Sequence, residues 1–192
     1  MPFDGVSGAV LLARAHDALV SEGVNVLRCS GVWRSDAWPA GTEQPDYFNA
    51  VLEADVGARD PRALYEVLRA IEQRFGRERR ERWGARTLDL DIVAIGDLHG
   101  AFDGIVLPHP RMADRAFVLA PLAELEPDWR HPELGRTTAE LLADAPPGGG
   151  CRRISDFPGH GVGKGCPFRA CGGASHCEIP RGALVYVPDP SN

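Results

Sequence analysis

The sequence predicts an α+β fold, on three observations. Over the first 95 residues the elements read helix, strand, strand, helix, strand. Residues 47–56 alternate strictly between two faces, the mark of a half-buried strand. Asp60-Pro61 opens a stretch whose apolar residues recur at helical spacing. Helices would then cover one face of a sheet.

The first helix is expected from a Ser7 cap to about Glu22. Val10, Leu11, Ala15, Ala18 and Leu19 form its apolar stripe, and Gly23 stops it. Residues 24–35 read as a strand with an irregular middle, and the prolines and glycine of 36–45 as a loop. In the strand at 47–56, Phe48, Ala50, Leu52, Ala54 and Val56 share one face. Tyr47, Asn49, Val51, Glu53 and Asp55 share the other. The next helix has Asp60 as cap, Pro61 at its first position and Leu64, Leu68, Ile71 and Phe75 on its stripe. Gly76 ends it. After a connection at 97–105, residues 115–125 are partly helical. Thr137 with Glu140 makes a capping box for a short last helix through Asp144.

Composition narrows the function classes. The chain has 192 residues, 44% apolar and 25% charged, as in ordinary globular proteins. A net charge of −6 argues against non-specific nucleic-acid binding. The sequence contains no membrane-spanning run and no signal-peptide pattern, so a cytoplasmic setting is expected. Of five cysteines, only Cys29 precedes residue 150, which implies no disulfide framework in the main body.

The chemistry concentrates at residues 86–95, a strand pattern ending in Gly96-Asp97. Asp89 and Asp91 would share one face, while Leu88, Leu90, Ile92 and Ala94 point into a core. Two adjacent carboxylates repel and call for a cation, and oxygen-only ligands suit Mg²⁺ bridged to phosphates. Just upstream, residues 74–86 hold six arginines with Gly76 and Gly84 among them. Guanidinium forks bind phosphate oxygens in bidentate fashion. A helix end with cations at its negative pole would explain one or two of them, not six. Together the two features are equipment for phosphoryl transfer.

Arg82-Trp83-Gly84-Ala85-Arg86-Thr87-Leu88-Asp89-Leu90-Asp91-Ile92 resembles the signature of the 6-hydroxymethyl-7,8-dihydropterin pyrophosphokinases of folate biosynthesis. Leu107-Pro108-His109-Pro110-Arg111-Met112, then residues 115–122, resemble the family's next block. Gln44-Pro45-Asp46-Tyr47-Phe48-Asn49-Ala50 matches upstream, and the likeness spans about 23–142. It implies a ferredoxin-like βαββαβ core and transfer of pyrophosphate from ATP to the hydroxymethyl group of the dihydropterin, with release of AMP. By the same resemblance Asp89 and Asp91 would hold two Mg²⁺ ions, and Arg77 and Arg86 would engage the phosphates during transfer. Glu72, Arg82, Trp83 and Ile92 match positions lining the ATP site. His109 and Arg115 match later phosphate and nucleotide contacts. Tyr47 and Phe117 would sandwich the pterin ring, with Asn49 on its edge.

Bland readings compete with these roles. Tyr47, Phe117 and Trp83 could be packing residues, and Glu72 could pair with an arginine one helical turn away. The sequence also departs from the family, which begins with a strand ending in Gly-Ser-Asn. Met1-Pro2-Phe3-Asp4 stands where that motif should have finished. The expected domain at 1–145 thus lacks the family's first strand, the strand bearing the aspartates would lose a neighbour, and the natural start is expected upstream of Met1. Residues 146–192, rich in glycine and cysteine, read as a flexible tail in which 184–187 is the only strand-like piece. Cys166, Cys171 and Cys177, with His160 and His176, lack the short spacing of a zinc site.

The expected function is therefore an ATP-dependent diphosphotransferase acting as a monomer, with ATP and the dihydropterin as its partners and neither nucleic acid nor membrane. One rival is a truncated, non-catalytic relative that still binds nucleotide or pterin. Another is an RNA-binding module on the same kind of sheet, which the net charge disfavours.

Overall fold

The computed structural model describes residues 8–36, 46–76, 88–146 and 150–159, and the backbone of 182–189. In chain order the elements are α1 (Gly8–Ser21), β1 (Asn25–Cys29), β2 (Val32–Ser35), β3 (Tyr47–Asp55), α2 (Pro61–Arg74), β4 (Asp91–Ile95), β5 (Gly100–Phe102) and β6 (Ile105–Leu107). A 3₁₀ turn (Met112–Asp114), α3 (Ala116–Leu125), α4 (Thr138–Asp144), β7 (Arg152–Ser155) and β8 (Gly182–Asp189) complete the order. This is an α+β fold. The main sheet runs β4-β8-β3-β2-β7, with β1 also on β3, and every pairing in it is antiparallel.

α1 closes as its glycine predicts. Gly23 takes φ 73°, donates to the Val20 carbonyl at 3.0 Å and lets Val24 N donate to the Leu19 carbonyl at 3.0 Å. Its buried stripe is Leu11, Leu12, Ala15 and Leu19; Val10, expected inside, is 46% exposed. The stripe is rotated by a residue or two, so Leu12 takes the inward place.

β1 and β2 are one interrupted strand against the same edge of β3. At the break, Ser30 N donates to the Val51 carbonyl at 2.9 Å, and the Ser30 hydroxyl accepts from Val51 N at 3.0 Å. A side chain thus replaces a backbone partner where the ladder is irregular. In α2, the Asp60 carboxylate accepts from Ala63 N at 2.7 Å and Pro61 occupies the first turn. Leu64, Leu68 and Ile71 are fully buried. α4 carries the expected reciprocal cap: Glu140 N donates to Thr137 Oγ1 at 3.2 Å, and Thr137 N to Glu140 Oε2 at 2.8 Å.

Two apolar cores lie on the two faces of the sheet. α1 and α2 pack Leu11, Leu12, Leu64, Leu68 and Ile71 against Ala50, Leu52, Leu90, Ile92 and Ile95. α3 and α4 pack Leu119, Leu122 and Leu141 against Val51, Val93 and Ala94. Ala94 therefore faces opposite to the side that strict alternation predicts. The β4 register shifts between Ile92 and Ala94, and one extra residue in a strand reverses the facing of the residues after it.

β5 and β6 form a hairpin across Asp103-Gly104, both at positive φ (47° and 86°), within the stretch expected to be a plain connection. The stretch 146–192 contributes two strands to the main sheet. β7 extends the edge beside β2, and β8 lies between β3 and β4. So β4 has a neighbour on the side where an open edge is expected.

Leu68→Ala, which empties the α1–α2 core beside the sheet, should cost about 2–5 kcal/mol of unfolding free energy by denaturant titration.

Candidate active site

The site is built where α2, the start of β4 and the segment before α3 converge. Leu88, Leu90 and Ile92 are buried on the helix side, and Asp89 and Asp91 between them are half-buried. The buried leucines anchor the chain, and alternation with them keeps the two carboxylates out of the apolar layer.

Glu72 is the hinge pin of this corner. It comes four residues after Leu68 on the buried stripe of α2 and is only 1% exposed. Its Oε1 accepts from Leu90 N at 2.9 Å and its Oε2 meets Arg69 Nη1 at 3.0 Å. It also hydrogen-bonds the Asp89 carboxyl. Two carboxyl groups share a hydrogen bond only if one carries a proton. Burial, reinforced by Asp89, pushes the Glu72 carboxyl up to about 8, against the pull of Leu90 N–H and Arg69. Glu72 thus faces inward and clips α2 to the aspartate segment, with its oxygens engaged by protein groups.

From the other side, His109 N donates to the Val93 carbonyl at 2.8 Å, and His109 Nδ1 accepts from Arg111 N at 3.2 Å. Burial lowers the His109 pKa, and the positive charge of Arg115 lowers it further. The imidazole is therefore neutral near pH 7. Arg115 stands at the N-terminal cap position of α3, its guanidinium carbon 5.7 Å from the centre of the Phe117 ring. Phe117 is half-buried and also packs against the α3–α4 core.

On β3, Asn49 is fully buried and its Nδ2 donates to Ser35 Oγ at 2.9 Å. Tyr47 is half-buried, and burial raises the pKa of its phenol. Tyr186 of β8 is the register partner of both Val51 and Asp91, so Asn49 stands two residues along β3 from the point level with Asp91. At the usual strand spacing β3 and β4 are about 10 Å apart there. Ile92 is 6% exposed and belongs to the helix-side core.

The structure thus gathers Glu72, Asp89, Asp91, His109 and Arg115 around the start of β4, with Asn49 and Tyr47 on the strand beyond β8. Arg77, Arg82, Trp83 and Arg86 lie outside the described residues. Among the described residues no three or more His, Cys, Asp or Glu side chains form a ready-made metal cage. Asp89 and Asp91 are the pair that could hold a cation sharing its other positions with water or phosphate.

Sequence reading missed two supports. Ser35 orients Asn49, which only the β2–β3 register discloses. Glu124 on α3 accepts from Gly31 N at 3.0 Å, Trp33 Nε1 at 2.9 Å and Arg153 Nε at 3.1 Å, tying α3 to the sheet's far edge. The signal for the buried role of Glu72 was present, since a glutamate four residues past Leu68 falls on the apolar stripe.

Comparison with known proteins decides what this corner belongs to. The family model for 7,8-dihydro-6-hydroxymethylpterin-pyrophosphokinase (HPPK) matches residues 7–127. The chain belongs to this pyrophosphokinase family. A Synechocystis relative named 2-amino-4-hydroxy-6-hydroxymethyldihydropteridine pyrophosphokinase is 45% identical over 139 residues, 72% of this chain and 67% of its own. A Methylorubrum extorquens protein of the same name is 35% identical over 145 residues, covering 76% of this chain and 89% of its own. One from Bacillus subtilis is 39% identical over 118 residues, 61% and 66% respectively. The family match includes β3, α2, β4 and α3, the elements that carry the site.

A raised carboxyl pKa means folding favours the protonated form. The stability this confers is fully present below the usual glutamate range and is lost as pH rises toward about 8. Unfolding free energy in metal-free buffer should therefore decline from pH 5 to 8, and Glu72→Gln should flatten that decline. An equal decline in both proteins would remove Glu72 as its cause.

Proposed function

We propose that this protein transfers pyrophosphate from ATP to 6-hydroxymethyl-7,8-dihydropterin, yielding the pterin diphosphate and AMP, a step of folate biosynthesis. The observation that carries the reading is the family match over residues 7–127, with the half-buried Asp89–Asp91 pair inside it. Release of AMP requires the pterin hydroxymethyl oxygen to attack the β-phosphorus of ATP. A new oxygen–phosphorus bond forms there, the bond from the β-phosphorus to the α–β bridging oxygen breaks so that AMP leaves with that oxygen, and the hydroxyl proton passes to solvent.

The donor set fits Mg²⁺: two carboxylates, with room in the coordination sphere for water and phosphate oxygens. Asp89 and Asp91 would hold two such ions, which when bound neutralise phosphate charge and orient the reacting oxygens. Around them the protein's own groups position substrate. Glu72 fixes the backbone at Leu90, between the two aspartates, so the carboxylates are placed before substrate arrives. His109, neutral and held by Val93, and the fixed charge of Arg115 would meet nucleotide and phosphate. Arg77 and Arg86 would neutralise charge during transfer, and Arg82 and Trp83 would complete the nucleotide and pterin contacts. Tyr47 and Phe117 would flank the flat pterin, with Asn49, set by Ser35, reading its edge.

A ferredoxin-like core, action as a monomer and a cytoplasmic location belong to the same proposal. No helix among the described residues is long and apolar enough to cross a membrane.

Asp91→Ala should cut AMP formation from ATP and the hydroxymethyl-dihydropterin by on the order of 10³-fold or more at saturating magnesium. Parent protein that binds both substrates yet forms no AMP would favour the non-catalytic alternative.

A further inference from the structure

β8 is bonded on both sides. Its eight residues pair in unbroken register with β3, from Asp55↔Gly182 to Phe48↔Asp189. On its other edge, Tyr186, Val185, Leu184 and Ala183 pair with Asp91, Ile92, Ala94 and Ile95. β3 is antiparallel to β1, β2 and β8 alike, so β8 runs in the same direction as β1 and β2. α1 lies against β8, β1 and β3. In space, β8, α1, β1–β2, β3, α2 and β4 therefore succeed one another as strand, helix, strand, strand, helix, strand. Along the sequence the strand that stands first in that cycle comes last.

Without a strand between them, β3 and β4 would face each other across about 10 Å, twice the hydrogen-bonding spacing. The backbone groups of both strands would then lack partners in the middle of the sheet. Leu184-Val185-Tyr186-Val187 is rich in the branched and aromatic residues that suit a central strand. Residues 160–181 offer 22 residues of chain, with a reach of up to about 70 Å, ample to pass from the β7 edge to this slot.

We propose that residues 182–189 are the leading strand of a cyclically permuted βαββαβ sheet, and that their ladder with β4 sets the position of Asp91. The second half rests on the reading of Asp91 as a metal-holding residue; the first half does not. Asp91 is the first residue of β4 and pairs with Tyr186, so its backbone is held from the β8 side while Glu72 holds the segment just before it. The stretch that looks like an appendage is then part of the catalytic scaffold.

Hydrogen exchange on the full-length protein, with no ligand added, tests this directly. The amides of 182–189 should be slowed together with those of β3 and β4, by about 100-fold or more relative to unstructured peptide. Free-peptide exchange at 182–189 beside a protected β3 would overturn the proposal. In full-length Val185→Pro, which removes a ladder donor from a central strand, protection of β4 should fall and AMP formation should drop more than about tenfold. Unchanged β4 protection in that variant would also overturn it. Wild-type protein that is protected at 182–189 but makes no AMP would refute the proposed activity and support the strand assignment.

Discussion

A strand's backbone carries a donor and an acceptor at every residue, and in the interior of a protein each needs a partner. That requirement governs this molecule at β4, the five-residue strand that begins with Asp91. Among the described residues its strand neighbour is β8, far away in sequence. The ladder aligns β4 with β3, and through β3 with β1 and β2. The helices then seal the two faces, α1 and α2 on one side, α3 and α4 on the other. The candidate site sits at the start of β4 because this is where the sheet, α2 and the segment before α3 meet.

Within that frame a buried acid works as a clip. Glu72 gives up solvation to bind Leu90 N–H, Arg69 and the Asp89 carboxyl, and the cost of burying it shows in its raised pKa. The return is geometric. The backbone between two aspartates is tied to a helix that is itself locked by Leu64, Leu68 and Ile71. Asp91, which opens β4, and Asp89, in the segment just before it, are thereby held in place by the surrounding fold. His109, bonded to Val93 inside β4, does the same from the opposite side.

Much of the fold was legible locally. The Asp60-Pro61 start of α2, the Gly23 stop of α1 and the Thr137–Glu140 box are near-neighbour signals, and each stands in the structure with the expected hydrogen bonds. Facing was readable wherever the period stayed constant, and failed at Ala94, where a bulge changed it. The Asp103-Gly104 hairpin carried a turn signal inside a stretch that read as connection only because its strands have three residues each. In the site, the aspartate pair and its arginine-rich approach stood out through charge density. The inward role of Glu72 was readable from its place on a stripe. Ser35 behind Asn49 was not, since it depends on register.

From sequence alone came the helices, their caps, the apolar faces and the cluster of acids and arginines to which the proposed chemistry is assigned. All are properties of residues within a few positions of one another, so periodicity and composition display them. Tertiary structure alone decided which strand lies beside which, that 182–189 fills the slot between β3 and β4, and that Glu72 and His109 brace the aspartates from opposite sides. Those outcomes depend on backbone pairing and burial between segments far apart in the chain, where no local period carries the information.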